Sequence, residues 1–408
     1  MLQTWRKIPY FLIVPEELHF YRVTGISLRD STISGPLFGN FSALTHLTFL
    51  DLSSNTIGGS IPDDLSRCHS LKYLNLSKNI IGGELSLSGL SNLEVLDLSV
   101  NKISGDVHST FPSICNSLVV ANLSTNNFSG RIDDVFNECR YLKYVDLRYN
   151  RFSGEIWSGF RRLVKFSVSG NRLSGNISAS MFRGNCTLQV LDLSGNEFVG
   201  EFPGQVSNCQ NLNVLDLWGN NFRGNIPAEI GSISSLRGLY FGKNEFSRDI
   251  PETLLNLSNL VLQALDLSFN RLTGSIPASF GNLTSLLWLM LANNSLSGEI
   301  PREIGNCSSL FMLHLGFNEF EGKLPIEIGL LPLAFLNLTR NKFSGQIPQE
   351  IGNLSSLQNL DLSYNNFSGN FPTIKLTNVD HTTFKCFLSS RRLIFIVELC
   401  VSVRTFKF

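Results

Sequence analysis

Along most of the chain, leucines alternate with polar residues over a few letters, and the alternation returns at a fixed interval. The segment LDLSSNTIGGSIP runs from Leu50 to Pro62, and close copies read LNLSKNIIGGEL from Leu74, LDLSVNKISGDV from Leu96 and LDLSYNNFSGNFP from Leu360. A period of two places Leu50 and Leu52 on one side of a short strand and Asp51 and Ser53 on the other. A repeat at fixed spacing overrides any local assignment, because each copy finds its burial only against its neighbours.

The asparagine that closes each LxLxxN marks the period. It falls at Asn55, Asn79, Asn101, Asn126, Asn150, Asn171, Asn196, Asn220, Asn244, Asn270, Asn294, Asn318, Asn341 and Asn365, and an earlier copy, ISLRDS from Ile26, carries Ser31 in that slot. The spacing is roughly 24 residues. An amide side chain both donates and accepts, so it can satisfy backbone groups where the strand turns away, and stacked copies predict a ladder of asparagines. Two places further on, the slot of Ile57 is refilled by Phe128, Phe152, Phe198, Phe222, Phe246, Phe320, Phe343 and Phe367, which predicts a stacked row. Burial of each such side chain contributes about 1.5–3 kcal/mol. The reading is one elongated body over residues 23–372 with about 15 repeats, an irregular edge or degenerate leader at 1–22, and a non-repeat tail at 373–408.

Composition narrows the function without naming it. The chain carries 33 basic and 33 acidic residues, dispersed, so no net field favours nucleic acid or an anionic membrane. Six of its eight cysteines, Cys68, Cys115, Cys139, Cys186, Cys209 and Cys307, share one repeat slot and are read as small buried side chains on the outer wall. The alternative pairs Cys115 with Cys139, or Cys186 with Cys209, across adjacent copies, since a strand spacing of about 4.8 Å suits a disulfide. The histidines His19, His46, His69, His108, His314 and His381 are scattered and no CxxC pair occurs, so neither metal nor cofactor is expected. Near the start, Arg6 and Lys7 precede a brief apolar run from Ile8 to Val14, a poor secretion signal. In the tail the apolar stretch Leu393 to Val403 falls short of the roughly 20 residues a spanning helix needs.

After the asparagine most copies carry a second signature, as in LTGSIP from Leu272, LSGEIP from Leu296 and FSGQIP from Phe343. In this form the repeat resembles the plant-specific leucine-rich repeat, and the chain resembles the extracellular part of plant leucine-rich-repeat receptor-like kinases, most of all the brassinosteroid-receptor-like group. The resemblance implies an α/β leucine-rich-repeat solenoid: a right-handed superhelix with a parallel sheet on the concave side and mainly 3₁₀ or irregular segments on the convex side. It further implies an extracellular sensor at the plasma membrane, which binds a peptide or protein ligand in defence or development and recruits a co-receptor leucine-rich-repeat kinase. Family members carry a leader, a paired-cysteine cap, a membrane helix and a kinase domain that this sequence does not display. No glycine-rich phosphate loop, HRD or DFG element is found, so no catalytic residue is assigned. The insertion of steroid-binding members is also missing, which argues against a steroid. Sequons at Asn40, Asn176, Asn185, Asn256, Asn282 and Asn353 agree with an exported glycoprotein.

Most copies fill the variable letters of LxxLxLxxN with Asp and Ser, so departures from that default mark candidate binding residues. They are Trp218, Tyr240, Lys243, Phe269, Trp288, Met290, Met312, His314, Phe317, Phe335 and Arg340, with a smaller group at Tyr144, Arg148 and Tyr149. Aromatic and Arg side chains on an exposed sheet have the composition of interface hot spots. The competing reading is a secreted inhibitor or decoy resembling the plant proteins that block microbial polygalacturonases. An enzyme has little support, because Asp51, Asp97, Asp146, Asp192, Asp216, Asp266 and Asp361 are one slot recurring, with no nucleophile and base arranged beside them.

Overall fold

Each alternating segment forms a strand of three residues in the computed structural model, which describes residues 22–37, 39–108, 110–255 and 261–372. Among the described residues fifteen such strands, from Gly25–Ser27 to Asn359–Asp361, join in chain order into one parallel sheet. Register holds from copy to copy: Leu50 faces Leu74, which faces Leu96, and Leu313 faces Leu336, which faces Leu360. The short copy before Asn171 stays in step through Phe166, and so does the long one before Asn270 through Leu265. Leu50, Leu74, Leu96 and their counterparts are fully buried on the inner side.

The opposite wall is built of 3₁₀ turns, and the proline of the IP signature starts many of them. Pro62, Pro203, Pro227, Pro277, Pro301, Pro325 and Pro348 each sit just before such a turn with φ between −58° and −77°. The pyrrolidine ring fixes that angle, and the missing N–H is no loss where a turn begins. The proline carbonyl accepts the first turn bond, as from the Leu65 N–H to Pro62 at 3.0 Å. One turn, Phe111–Ile114, is α-helical instead.

A second sheet was not expected from the sequence. Eight strands, from Ser104–Asp106 to Arg271–Leu272, pair in parallel along the flank. They consist of the residues just after the ladder asparagine. Stacking brings each such segment beside its counterpart, and extended backbone there completes its hydrogen bonds with the next coil.

The marker asparagines tie these layers together. Asn79 donates through Nδ2 to the Leu52 carbonyl of the preceding coil and to its own Leu76 carbonyl, both at 3.0 Å, while its Oδ1 accepts the Ile57 N–H at 3.0 Å. The same pattern recurs as far as Asn365, which bonds to Leu338 and Leu362 and accepts from Phe343. The phenyl rings stack behind them: Phe198 on Phe222, Phe222 on Phe246, Phe320 on Phe343 and Phe343 on Phe367, with centroids 6.1–6.3 Å apart.

The reading of all six cysteines as lone buried side chains needs correction. Cys115 is bonded to Cys139 and Cys186 to Cys209, with Cα atoms 4.3 and 4.9 Å apart. Cys68 and Cys307 remain buried thiols that donate to the carbonyls of Phe41 and Phe280. The difference lies in the neighbouring coils, where the corresponding slots hold Leu44 beside Cys68, and Leu283 and Leu331 beside Cys307. The N-terminal edge before residue 22, the tail from 373 and Asn256 lie outside the described residues. No helix among the described residues is long and apolar enough to cross a membrane.

Candidate recognition surface on the concave sheet

Strand register decides which variable residues meet. Trp288, Met312 and Phe335 are direct neighbours across three strands, in a column that continues into Ala264 and Gly238 on one side and Asn359 on the other. Two residues along, a parallel column runs Asp216, Tyr240, Asp266, Met290, His314, Asn337 and Asp361. All these side chains stand on the face turned away from the leucine core.

The other candidates sit past the strand ends. Lys243, Phe269, Phe317 and Arg340 each occupy the slot before the ladder asparagine, and Trp218 lies one place earlier still. That slot is left-handed in every described copy, with φ of 53° at Lys243, 54° at Phe269, 58° at Phe317 and 52° at Arg340. A non-glycine residue there costs about 1–2 kcal/mol. Gly170, Gly195 and Gly219 avoid that cost, whereas these copies hold large side chains out at the rim of the sheet. Trp218, Phe269, Trp288 and Phe317 are all at least 40% exposed.

Cations link neighbouring rim residues. The Lys243 ammonium lies 5.0 Å from the Trp218 ring centre, and the Arg340 guanidinium lies between two rings, 4.5 Å from Tyr364 and 5.3 Å from Phe317. Glycines make room for the larger groups. A Cβ on Gly242 would come within 2.8 Å of Trp218 and 2.9 Å of both Asp266 oxygens, and one on Gly238 within 2.7 Å of the Tyr240 ring.

Electrostatics single out the middle of the band. Burial pushes the Asp216 carboxyl up to about 7, against the N–H that Trp218 donates to it at 2.9 Å, and the neighbouring Asp192 and Asp266 add to the rise. Burial also raises Asp266, although Ser268 donates to it through both N–H and hydroxyl. Tyr240, between the two, is raised by burial and by both carboxylates. His314 is lowered by burial, partly offset by Asp266 and Asp361. In the same slot, Asp146 is paired with Arg148 at 2.9 Å and with Lys165 at 3.2 Å. Among the described residues no lysine or arginine forms an ion pair with Asp216 or Asp266, and the nearby His314 acts only on Asp266.

The candidate residues from Trp218 to Arg340 therefore form one band over adjacent coils. The smaller group does not join it: two strands, Lys165–Ser167 and Val190–Asp192, separate Tyr144 from Val214, and Arg148 is held by Asp146. Sequence reasoning missed exposed Phe311 and Tyr364 at the edge of the band, and the roles of Asp216, Asp266, Gly238 and Gly242. Phe311 and Tyr364 were legible as departures from the default letters; the others depend on what adjacent coils contribute. The sequon asparagines Asn40, Asn176, Asn185, Asn282 and Asn353 are all exposed.

Comparison with known proteins supports this architecture. Family models for the leucine-rich repeat match residues 23–81 and 261–320, and 92–114, 141–163, 187–209, 211–233, 332–354 and 356–374. A probable leucine-rich-repeat receptor-like serine/threonine-protein kinase of Arabidopsis thaliana is 77% identical over 192 residues, which is 47% of this chain and 17% of that relative. Among solved structures, the plant peptide hormone receptor RGFR1 in complex with RGF2 superposes with a TM-score of 0.78 at 34% identity, over 84% of this chain and 55% of that receptor. The Arabidopsis receptor kinase HAESA, in complex with the peptide hormone IDA and the co-receptor SERK1, gives 0.70 at 30% identity, over 90% of this chain and 66% of that one. The chain thus spans only part of the length of the proteins it matches. With matches over more than half of its residues and strands in unbroken register, the chain belongs to the leucine-rich-repeat family.

Proposed function

We propose that this chain is the ligand-recognition part of a plant receptor-like kinase, and that it binds a peptide on the band from Trp218 to Arg340. The observation that carries the reading is the register: Trp288, Met312 and Phe335 lie side by side, flanked by the column of Tyr240, Met290 and His314. An extended peptide laid across the strands meets aromatic, thioether and imidazole groups in succession, and such side chains supply contact area at modest entropic cost. The peptide-hormone complexes of RGFR1 and HAESA support the ligand class, and the SERK1 complex of HAESA supports a second leucine-rich-repeat kinase as co-receptor. Kinase activity, which the name of the Arabidopsis relative carries, is not assigned to the repeats.

The test is a panel of synthetic secreted plant peptides, screened against the chain and against a variant with Trp218→Ala, Trp288→Ala and His314→Ala. Peptides retained by the chain and lost by the variant support the reading; equal binding by both removes the band as the site.

A further inference from the structure

Away from the recognition face, two adjacent coils bring a histidine and three carboxylates together on the flank. Asp106, at the end of the strand Ser104–Asp106, accepts at Oδ1 both the backbone N–H of His108, at 2.9 Å, and its Nδ1–H, at 2.7 Å. That double hold fixes the ring, puts a proton on Nδ1 and turns Nε2 toward the next coil. Nε2 faces Asp134 Oδ1 of the next coil at 2.8 Å. Asp133 stands beside it, and the ligand atoms of His108, Asp133 and Asp134 lie within 4.8 Å of one another.

At this distance a proton on Nε2 makes a charge-assisted hydrogen bond to the carboxylate, and a metal ion that both atoms ligate can take that proton's place. Zinc bonds both ligand types at about 2.0–2.2 Å, a reach that fits atoms about 3 Å apart. A carboxylate on the far nitrogen of a metal-binding imidazole is the usual supporting partner of such a ligand. We propose that His108, Asp133 and Asp134 bind a divalent transition-metal ion, zinc by ligand type, with Asp106 as a positioning residue. The ion would bridge the same two coils that the Cys115–Cys139 disulfide joins. One imidazole with two carboxylates favours zinc over calcium or magnesium, which take oxygen donors alone.

Arg131 competes for this site. Its guanidinium holds Asp133 through two bonds, Nε to Oδ1 at 3.1 Å and Nη2 to Oδ2 at 2.8 Å. Metal entry requires Asp133 to turn from Arg131 toward the histidine, so removing Arg131 should strengthen binding.

Titration calorimetry of the full oxidised chain with zinc chloride at pH 7.5 tests the proposal, with cobalt(II) absorption reporting the ligand type. One equivalent is expected, without a thiolate-to-metal charge-transfer band. His108→Ala should weaken binding by more than tenfold and Asp134→Ala by about tenfold. Arg131→Ala should tighten it several-fold. Asp106→Ala should weaken it, and Asp106→Asn, which keeps an acceptor for Nδ1–H, should restore most of the loss. Absence of zinc binding, or binding unchanged in His108→Ala, overturns the proposal; the former leaves a proton alone between His108 and Asp134.

Discussion

The Lys243 ammonium lies 5.0 Å from the centre of the Trp218 ring, although the two residues belong to adjacent coils. The contact holds the exposed indole at the rim beside Asp266 and against Gly242. A cation over an exposed indole contributes about 0.5–1 kcal/mol. A double-mutant cycle of Trp218→Ala and Lys243→Ala, read by urea unfolding, should return a coupling in that range. A coupling of zero means that the two side chains are placed independently, and that Lys243 is free to meet ligand.

Asp216 makes stability depend on pH with a definite sign. Its ordinary value of 3.8 rises to about 7 in the fold, so between these values the folded chain holds a proton that the unfolded chain has released. Stability therefore falls as pH rises through this window and levels off above it. Asp216→Asn keeps an oxygen for the Trp218 N–H and removes the charge. At pH 8 it should be more stable than the parent, on the order of 2 kcal/mol after allowing for solvent access, and the two should converge near pH 4. Unfolding at the two pH values checks this, and equal stability of the two proteins at pH 8 rejects the assignment.

Asn220 tests the ladder. It bonds to the carbonyls of Leu193 and Leu217, each at 3.0 Å, and accepts the Phe198 N–H at 3.1 Å, all within the buried turn. Asn220→Ala orphans these groups at about 1–3 kcal/mol each, so a loss of about 3 kcal/mol or more is expected. Trp218→Ala, two residues away on the exposed rim, should cost less than about 1 kcal/mol. Thermal melts of the two variants give the comparison directly.

What the sequence disclosed and what it hid follow from how far an interaction reaches along the chain. The period of asparagines and leucines placed every strand of the main sheet, because the alternation that turns Leu50 or Leu96 toward the core is written within each copy. The flank sheet, the two disulfides and the group around His108 depend on what the next coil supplies, 23 to 26 residues away. Asp146 and Asp216 carry the same letter in the same slot, yet the next strand offers Lys165 to one and Gly238 in the same position to the other. The candidate band was legible because tryptophan, methionine and histidine break a monotonous pattern. Its carboxylates were not, because they conform to it.

The disulfides carry the next prediction. Each closes a stretch of 24 or 23 residues between adjacent coils, Cys115 to Cys139 and Cys186 to Cys209. Constraint of the unfolded chain at that length contributes about 3 kcal/mol. Replacing either pair with serine should lower the melting temperature, while Cys68→Ser, which removes a lone thiol, should act only through its buried site. Mass spectrometry after thiol alkylation without reductant should find Cys68 and Cys307 as thiols and Cys115, Cys139, Cys186 and Cys209 bonded.

The most direct test of the central claim is a footprint of bound peptide. A peptide hit from the secreted-peptide panel, carrying a photoreactive group, is cross-linked to the chain and the adducts are mapped by mass spectrometry. Adducts at the rim and strands between Trp218 and Tyr364, lost when Trp218, Trp288 and His314 are changed to Ala, are the predicted result. Adducts confined to the 3₁₀ wall, or to the sheet before Asp192, would contradict it.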